Sequence, residues 1–111
     1  MASDRTGRKI GLLGATGYTG RLTATEFALR EIPVRLGGRS SERLAKVDAA
    51  EGSERVAVDT TDRAALDRFM AGLDLVVSTV GPFELLGRPV VDAAVAAGVH
   101  YIDSTGEPDF M

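Results

Sequence analysis

The sequence has 111 residues, enough for one domain, and its 44% apolar and 26% charged residues allow a buried core. Its formal net charge of -3 lacks the basic excess with which nucleic-acid binders attract phosphates. It has no cysteine, which excludes disulfides, thiolate metal sites and thiol catalysis, and its single histidine, His100, disfavours any metal centre.

Residues 1–8 are polar and predict a flexible N-terminal tail before a domain that spans residues 9–111. No apolar stretch approaches the roughly 18 residues that a membrane-spanning helix needs. We therefore expect a soluble, cytoplasmic protein without a membrane span. Past the tail, short apolar runs alternate with stretches of helical periodicity, which is typical of repeated strand-helix-strand units.

The first of these units combines a strand at Lys9–Leu13 with a helix from about Tyr18 to Arg30. Pro33 prevents that helix from continuing. A second strand follows at Val34–Gly38.

The next unit begins with a serine cap. Ser40 or Ser41 can cap a helix that Gly52 then ends, because serine favours the N-cap and glycine the left-handed stop. The third strand is predicted at Arg55–Val58.

The third helix has the clearest amphipathic pattern in the chain. Asp62 is a natural N-cap for it. Its apolar side chains recur at helical spacing and are Leu66, Phe69, Met70 and Leu73. Leu75–Val80 is then an apolar, β-branched run, typical of a strand that is buried on both faces.

The last helix is predicted to begin at Pro89, since proline suits the first helical position, and to stop at Gly98. Its narrow apolar face would consist of Val91, Ala94 and Val95. Val99–Asp103 completes a fifth strand.

The order of these strands in the sheet can be predicted as well. Parallel strands joined by right-handed crossovers allow few topologies, and a glycine turn after the first strand favours the doubly wound order 3-2-1-4-5. We therefore predict an α/β fold of the Rossmann type, with helices on both faces of the sheet. The outer edge of the fifth strand would present unpaired backbone groups, which favours self-association as a homo-oligomer.

The segment GATGYTG places glycines at 14, 17 and 20, between the first strand and the first helix. This context indicates a dinucleotide-binding turn: Gly14 permits the turn, Gly17 lets a diphosphate approach the backbone, and Gly20 lets the helix approach the sheet. The alternative is a strand-helix turn without a ligand, which the spacing disfavours. A single-nucleotide P-loop is disfavoured because its lysine and Ser/Thr pair are missing.

The start of the first helix is the predicted phosphate site. The free N–H groups near Tyr18 and Thr19 and the positive end of the helix dipole would face the phosphates. Thr16 and Thr19 add hydroxyl donors.

The end of the second strand indicates which cofactor is bound. NAD binders usually place an acid about 20 residues beyond the glycine motif, to hold the ribose hydroxyls. Here the position is Arg39, followed by Ser40 and Arg43. Arg39 can stack on adenine and, with Ser40 and Arg43, hold the 2'-phosphate of NADP. The alternative is that both arginines are solvated charges at a helix start.

The ends of the later strands complete the predicted cofactor site, because ligands in open parallel sheets lie beyond the carboxyl ends of the strands. Asp59 would accept a hydrogen bond from the adenine amino group. The backbone of Thr79, Val80 and Gly81 would lie beside the nicotinamide ribose, and Pro82 continues the same VGPF segment. The alternatives are a loop carboxylate and an ordinary turn.

The sequence assigns no catalytic residue. His100 and Tyr101 open the fifth strand, where one would pack and the other would point to a helix-covered face, so both are expected to be structural. Asp103, Ser104 and Glu107 stand at the strand end, a better position for chemistry, but polar loop residues are common there.

Four segments, GATGYTG, GGRSSERL, VVSTVGPF and GVHYIDSTGE, resemble in this order the NADP-binding domain of saccharopine dehydrogenase-like oxidoreductases, a family that includes trans-acting enoyl reductases. The resemblance spans nearly the whole chain and implies bound NADP and hydride transfer with a small-molecule substrate. Members of that family are longer and carry a substrate-binding domain. We therefore expect this sequence to be part of a two-domain protein and to be inactive in isolation.

Two other classes of function remain as alternatives. A nucleotide-binding sensor or regulatory module would use the same pocket without hydride transfer. A structural interaction module would bind no dinucleotide.

Overall fold

The computed structural model describes residues 7–80 and 83–103, and for residues 83–87 it describes the backbone alone. The strands are β1 (Ile10–Leu13), β2 (Arg35–Gly38), β3 (Glu54–Ala57), β4 (Leu75–Ser78) and β5 (His100–Asp103). The helices are α1 (Tyr18–Leu29), α2 (Ser41–Leu44), α3 (Arg63–Met70) and α4 (Phe83–Ala97). The predicted alternation of strands and helices is confirmed. Residues 1–6 of the predicted tail lie outside the described residues.

The strands form one parallel sheet in the order β3-β2-β1-β4-β5. In the register of the central strands, Leu13 of β1 pairs with Gly37 on one side and with Ser78 on the other. The carboxyl ends of neighbouring strands therefore meet at one edge of the sheet. The predicted topology and the Rossmann fold class are both confirmed, and the common edge is where the candidate site lies.

Each face of the sheet packs against its own hydrophobic core. Leu66 and Phe69 of α3 and Ala94 of α4 are buried on one face. Ala24 of α1 and Leu44 of α2 are buried on the other. Helices therefore cover both faces, as predicted, because each apolar stripe needs a partner layer to leave water.

Strand β5 is less covered than the sequence predicts. Tyr101 is half-buried and packs against the α3 and α4 core, while His100 is exposed and Ile102 is 53% exposed. Tyr101 is thus the side chain that packs, and the expectation that the other one points to a helix-covered face is wrong, because His100 is exposed. β5 is the last strand in the sheet order, so among the described residues no strand pairs with its outer edge.

Helix α2 is shorter than predicted. It ends at Leu44 and not near Gly52, although Leu44 and Val47 both point into the core. Arg55 of β3 explains the early end, because its guanidinium donates to the carbonyl oxygens of Leu44 at 2.9 Å and Val47 at 2.8 Å. These bonds satisfy carbonyl groups that a longer helix would have paired internally. The side chain of Arg55 in the following strand thus holds the chain in place just after α2.

Helix α4 is longer than predicted, since it begins at Phe83 and continues through Pro89. Its inward face consists of Val90, Ala93 and Ala94, whereas Val95 is 72% exposed. The predictions of a start at Pro89 and of a buried Val95 are therefore wrong. A proline inside a helix costs about 3 kcal/mol, and packing of α4 against α3 and the sheet offsets that cost.

Arg35 of β2 is a buried charged residue that sequence analysis did not single out. It is 7% exposed. Its Nη1 donates to the carbonyl oxygens of Phe69 at 2.7 Å and Ala71 at 2.8 Å, and its Nε lies 3.6 Å from a carboxylate oxygen of Glu54. Arg35 therefore joins β2 to β3 and to the carboxyl end of α3.

Candidate functional site

The glycine turn after β1 is held by both neighbouring strands. Gly14 has a φ of +80°, and a Cβ on it would lie 2.6 Å from Oγ1 of Thr79. The N–H of Gly14 donates to the carbonyl oxygen of Gly37 in β2 at 3.0 Å. The hydroxyl of Thr79, which follows β4, shares its proton between the carbonyl oxygens of Leu13 at 2.9 Å and Gly14 at 3.1 Å. A glycine at 14 is therefore required both by conformation and by space, in agreement with its predicted role.

The other two glycines of the turn have different surroundings. A Cβ on Gly20 would overlap the carbonyl group of Gly14 and the Cα of Ala15, so α1 can approach the turn only without a side chain there. This agrees with the predicted role of Gly20. A Cβ on Gly17 would meet only the carbonyl oxygen of Gly14, at 3.6 Å. Gly17 therefore presents its backbone to open space, and its contact with a diphosphate stays a prediction.

The N-terminus of α1 has unpaired donors. Gly17 is its N-cap, no side chain caps it, and its first turn contains no acidic residue. The first helical hydrogen bond runs from the N–H of Arg21 to the carbonyl oxygen of Gly17 at 2.9 Å. Among the described residues, the N–H groups of Tyr18, Thr19 and Gly20 have no acceptor. Such a helix start favours a negatively charged ligand.

A cleft of about 340 Å³ lies beside this helix start, over the carboxyl ends of β1 to β4. The predicted site residues that line this cleft are Gly14, Thr16, Gly17, Arg39, Asp59, Thr79 and Val80. Thr60 and Thr61 also line it, and sequence analysis did not single them out, although they directly follow a strand. Gly81 and Pro82 lie outside the described residues. The fold thus brings the glycine turn together with the ends of β2, β3 and β4.

Arg39 and Asp59 are a pair of opposite charges in the cleft. The Oδ1 of Asp59 accepts hydrogen bonds from the N–H of Thr61 at 2.9 Å and its hydroxyl at 2.7 Å. These bonds, and then the positive charge of Arg39, lower the pKa of the Asp59 carboxyl from its ordinary value. Asp59 is therefore ionised near neutral pH, and one of its oxygens is already engaged in the loop.

Ser40 and Arg43 do not line this cleft. The Oγ of Ser40 accepts the N–H of Arg43 at 3.2 Å and so caps α2, as predicted for Ser40 or Ser41. Its hydroxyl proton is still available to a ligand, because a hydroxyl can accept and donate at once. Arg43 lies on the far side of Thr16, where it lines an adjacent depression. Of the predicted phosphate-binding set, Arg39 therefore lines the cleft, Arg43 lines the adjacent depression, and Ser40 lines neither.

The end of β5 holds a small polar group. Burial, and next the carboxylate of Asp103, raise the pKa of the Tyr101 phenol, and its hydroxyl has no hydrogen-bond partner among the described residues. Ser78 lies opposite Asp103 in the register of β4 and β5, and it is fully buried. Ser104 and Glu107 lie outside the described residues. No catalytic set of nucleophile and base is formed by the side chains described here.

Two further features bear on the class of site. In residues 7–80 and 83–103, no cluster of histidine, aspartate or glutamate has the arrangement of a metal site. Among the same residues, no helix has the length and apolarity needed to cross a lipid bilayer.

Comparison with known proteins agrees with this geometry. A family model described as NAD(P)H-binding matches residues 14–104. The trans-acting enoyl reductase of Mycobacterium leprae is 39% identical over 114 residues, covering 96% of this chain and 27% of that protein. The trans-acting enoyl reductase of Mycobacterium ulcerans is 36% identical, with the same coverage of 96% and 27%. The chain therefore spans about a quarter of the length of these relatives.

Solved structures have the same fold. Saccharopine dehydrogenase (L-Glu forming) from Saccharomyces cerevisiae matches with a TM-score of 0.76 and 25% identity, over 92% of this chain and 23% of that one. The triphenylmethane reductase of Citrobacter, complexed with NADP(H), matches with a TM-score of 0.72 and 28% identity, over 86% and 37%. These matches confirm the resemblance derived from the sequence motifs. This chain belongs to the NAD(P)H-binding family and is a nicotinamide dinucleotide-binding domain related to enoyl reductases and saccharopine dehydrogenase.

Proposed function

We propose that this domain binds NADP in preference to NAD and serves as the cofactor domain of an oxidoreductase that acts on a small-molecule substrate. The observation that carries the proposal is the start of α1. Its first N–H groups are unpaired among the described residues, and its N-cap Gly17 lines the same cleft as Arg39 at the end of β2. This arrangement combines a diphosphate site with a positive charge where NAD binders usually have an acid.

The residues that line the cleft come from the ends of four strands, so different parts of the cleft could contact the two halves of a dinucleotide. The diphosphate would accept hydrogen bonds from the N–H groups of Tyr18 and Thr19, with the Gly17 backbone facing it. The adenosine half would extend toward Arg39 and Asp59, whose second carboxylate oxygen is available for the adenine amino group. The nicotinamide half would extend toward Thr79 and Val80, at the end of β4. These assignments follow the general rule for ligands at the carboxyl ends of parallel strands.

The preference for NADP is supported by charge. Arg39 is exposed at the end of β2, and Arg43 follows one helical turn later, with no carboxylate at the position that would hold the ribose hydroxyls of NAD. The Ser40 hydroxyl can add a donor to the 2'-phosphate. Charge-assisted hydrogen bonds are each worth about 1.5 to 3 kcal/mol, so one net contact is enough for a preference of about tenfold. The triphenylmethane reductase with a similar fold was solved with NADP(H).

Calorimetry with NADP and NAD tests this proposal. We expect the wild-type chain to bind NADP at least about tenfold more tightly than NAD. Arg39→Ala should weaken NADP binding and narrow that difference, because it removes a cation from the adenosine end of the cleft. Arg68→Ala, an exposed arginine on α3, is the matched control and should leave both affinities unchanged. Equal affinities for the two cofactors in the wild type would refute the NADP preference.

The oxidoreductase assignment rests on the relatives. When bound, the nicotinamide supplies hydride chemistry, while the protein contributes binding and orientation. A non-catalytic NADP sensor is the alternative, and turnover separates the two. NADPH oxidation by a longer protein that contains this domain, with enoyl compounds as trial substrates, supports an enzyme. Tight cofactor binding without turnover, together with a partner that responds to redox state, supports the sensor. The binding of the substrate by a second domain stays a prediction.

Self-association through β5 also stays a prediction, and so does a cytoplasmic location. The outer position of β5 and the exposed side chain of Ile102 favour pairing with another copy of this chain. Light scattering at increasing concentration should give a mass above that of the monomer. Replacement of Ile102 by lysine should restore the monomer, because a charge on an edge strand opposes pairing. A monomeric wild type at high concentration would exclude this mode of assembly.

A further inference from the structure

A basic depression lies next to the cofactor cleft, on the α1 and α2 side. Its volume is about 320 Å³, and it is lined by Thr16, Arg21, Arg43 and Lys46. Arg21 belongs to the first turns of α1, Arg43 to α2, and Lys46 to the segment that follows α2. Segments separated along the chain thus bring three positive charges to one place. The sequence pattern singled out only Arg43 among them.

Among the described residues, the cations of this depression form no ion pair, although Asp48 lies beside Arg21 and Lys46 in a neighbouring depression. No carboxylate lines the depression. Like charges held together repel one another, so a site of this kind favours a bound anion.

Thr16 connects the depression to the cofactor cleft, since it lines both. Its side chain lies against the end of β2, where a Cβ on Gly38 would be 3.0 Å from the Thr16 Cγ2. The absence of a side chain at Gly38 therefore leaves Thr16 room at the boundary between the two spaces. A ligand in the cleft that reaches Thr16 would therefore also reach the edge of the depression.

Arg39 and the basic depression have different electrostatic surroundings. Arg39 shares the cleft with the carboxylate of Asp59. The three cations of the depression have no such counter-charge among the residues that line it. A dianionic phosphate is therefore better matched by the depression than by Arg39.

We propose that this basic depression binds the 2'-phosphate of NADP, with Arg21 and Lys46 as specificity-determining residues alongside Arg43. The inference rests on the proposed NADP function and adds the residues that distinguish NADP from NAD. Arg39 then adds its positive charge to the phosphate from the cleft side and can also stack on the adenine ring, because its guanidinium is planar. The Thr16 hydroxyl adds a neutral donor to the phosphate.

Asp48 is an acidic residue close to two of the three cations of this site. It lines a neighbouring depression together with Arg21 and Lys46, and it accepts a hydrogen bond from the Thr25 hydroxyl at 3.5 Å. Its negative charge lowers the positive potential that a phosphate would meet. Asp48→Asn should therefore tighten NADP binding without changing NAD binding.

The test compares cofactors that differ by one phosphate. Dissociation constants for NADP and NAD are measured by calorimetry for the wild type, Arg21→Gln and Lys46→Gln, with Arg68→Gln as the control of equal charge change. In Arg21→Gln and in Lys46→Gln, the dissociation constant for NADP should rise about tenfold. The dissociation constant for NAD should stay at the wild-type value. Adenosine 2',5'-bisphosphate against 5'-AMP gives the same comparison without nicotinamide. The unchanged NAD affinity also shows that the variants are folded.

The failures of the two proposals can be told apart. If the wild type prefers NADP but Arg21→Gln and Lys46→Gln keep the full preference, the assignment of the depression is wrong and the NADP function stands. If Arg68→Gln lowers the preference for NADP as much as Arg21→Gln and Lys46→Gln do, the effect comes from the net charge of the chain. The assignment of the depression is then again wrong. A wild type that binds NADP and NAD equally would overturn both proposals.

Discussion

Gly20→Ala should lower the free energy of unfolding by about 3 kcal/mol and abolish cofactor binding. The added Cβ would overlap the carbonyl group of Gly14 and the Cα of Ala15. These are backbone atoms of a turn that is hydrogen-bonded to β2 and β4, so they cannot move aside without breaking those bonds. Urea unfolding measures the loss of stability, and calorimetry with NADP measures the loss of binding.

Gly17→Ala is the matched control, because the same methyl group is added three residues earlier in the same turn. Here the new Cβ would make one ordinary contact, at 3.6 Å from the Gly14 carbonyl oxygen. The loss of stability should be under about 1 kcal/mol, the scale of a weakened N-cap. Cofactor binding should still fall, since the methyl group would stand where the diphosphate approaches the backbone. Equal stability of the two variants would contradict the packing argument for Gly20.

Arg35→Met should lower the free energy of unfolding by about 3 kcal/mol. Methionine keeps most of the apolar stem but leaves the carbonyl oxygens of Phe69 and Ala71 without the donor they have now. It also removes the charge beside Glu54. Because Arg35 is 7% exposed, water cannot readily replace the lost bonds. Equilibrium unfolding in urea measures the effect.

Arg63→Met is the control for that substitution. Arg63 forms an ion pair with Asp67 at 2.8 Å, but their side chains are 52% and 55% exposed. Exposed ion pairs contribute little, so the free energy of unfolding should change by about 0.5 kcal/mol or less. A loss for Arg63→Met as large as that for Arg35→Met would mean that burial is not the reason for the effect at Arg35.

The candidate site was predictable from the sequence where it depends on neighbours along the chain. Gly14 and Gly20 stand in a motif whose spacing is itself the signal, and Asp62 caps α3 through the N–H of Ala65, as its position before an amphipathic run predicts. Asp59 and Thr79 were found because they follow strands, and parallel strands end at a common edge. Such features require only local conformation and the periodicity of apolar residues.

The site was not predictable where it depends on contacts between distant segments. Arg21 follows the glycine motif directly, yet nothing in its neighbourhood shows that Lys46 will lie beside it. Arg55 ends α2 through two carbonyl oxygens, which no pattern around Ser41 reveals. The start of α4 was predicted wrongly for the same reason, because it depends on contacts between distant segments. Pro89 is a local signal against a helix interior, and packing of α4 against α3 outweighs that signal.

By itself, the sequence determined the alternation of strands and helices, the parallel sheet order and the dinucleotide-binding turn. The reason is that hydrophobic periodicity, glycine positions and crossover handedness act over a few residues and permit few topologies. Only the tertiary structure decided which charges are buried, as at Arg35, and which are gathered at one depression, as at Arg21 and Lys46. Burial and electrostatic potential depend on distances through space, and those distances are set when both faces of the sheet have packed.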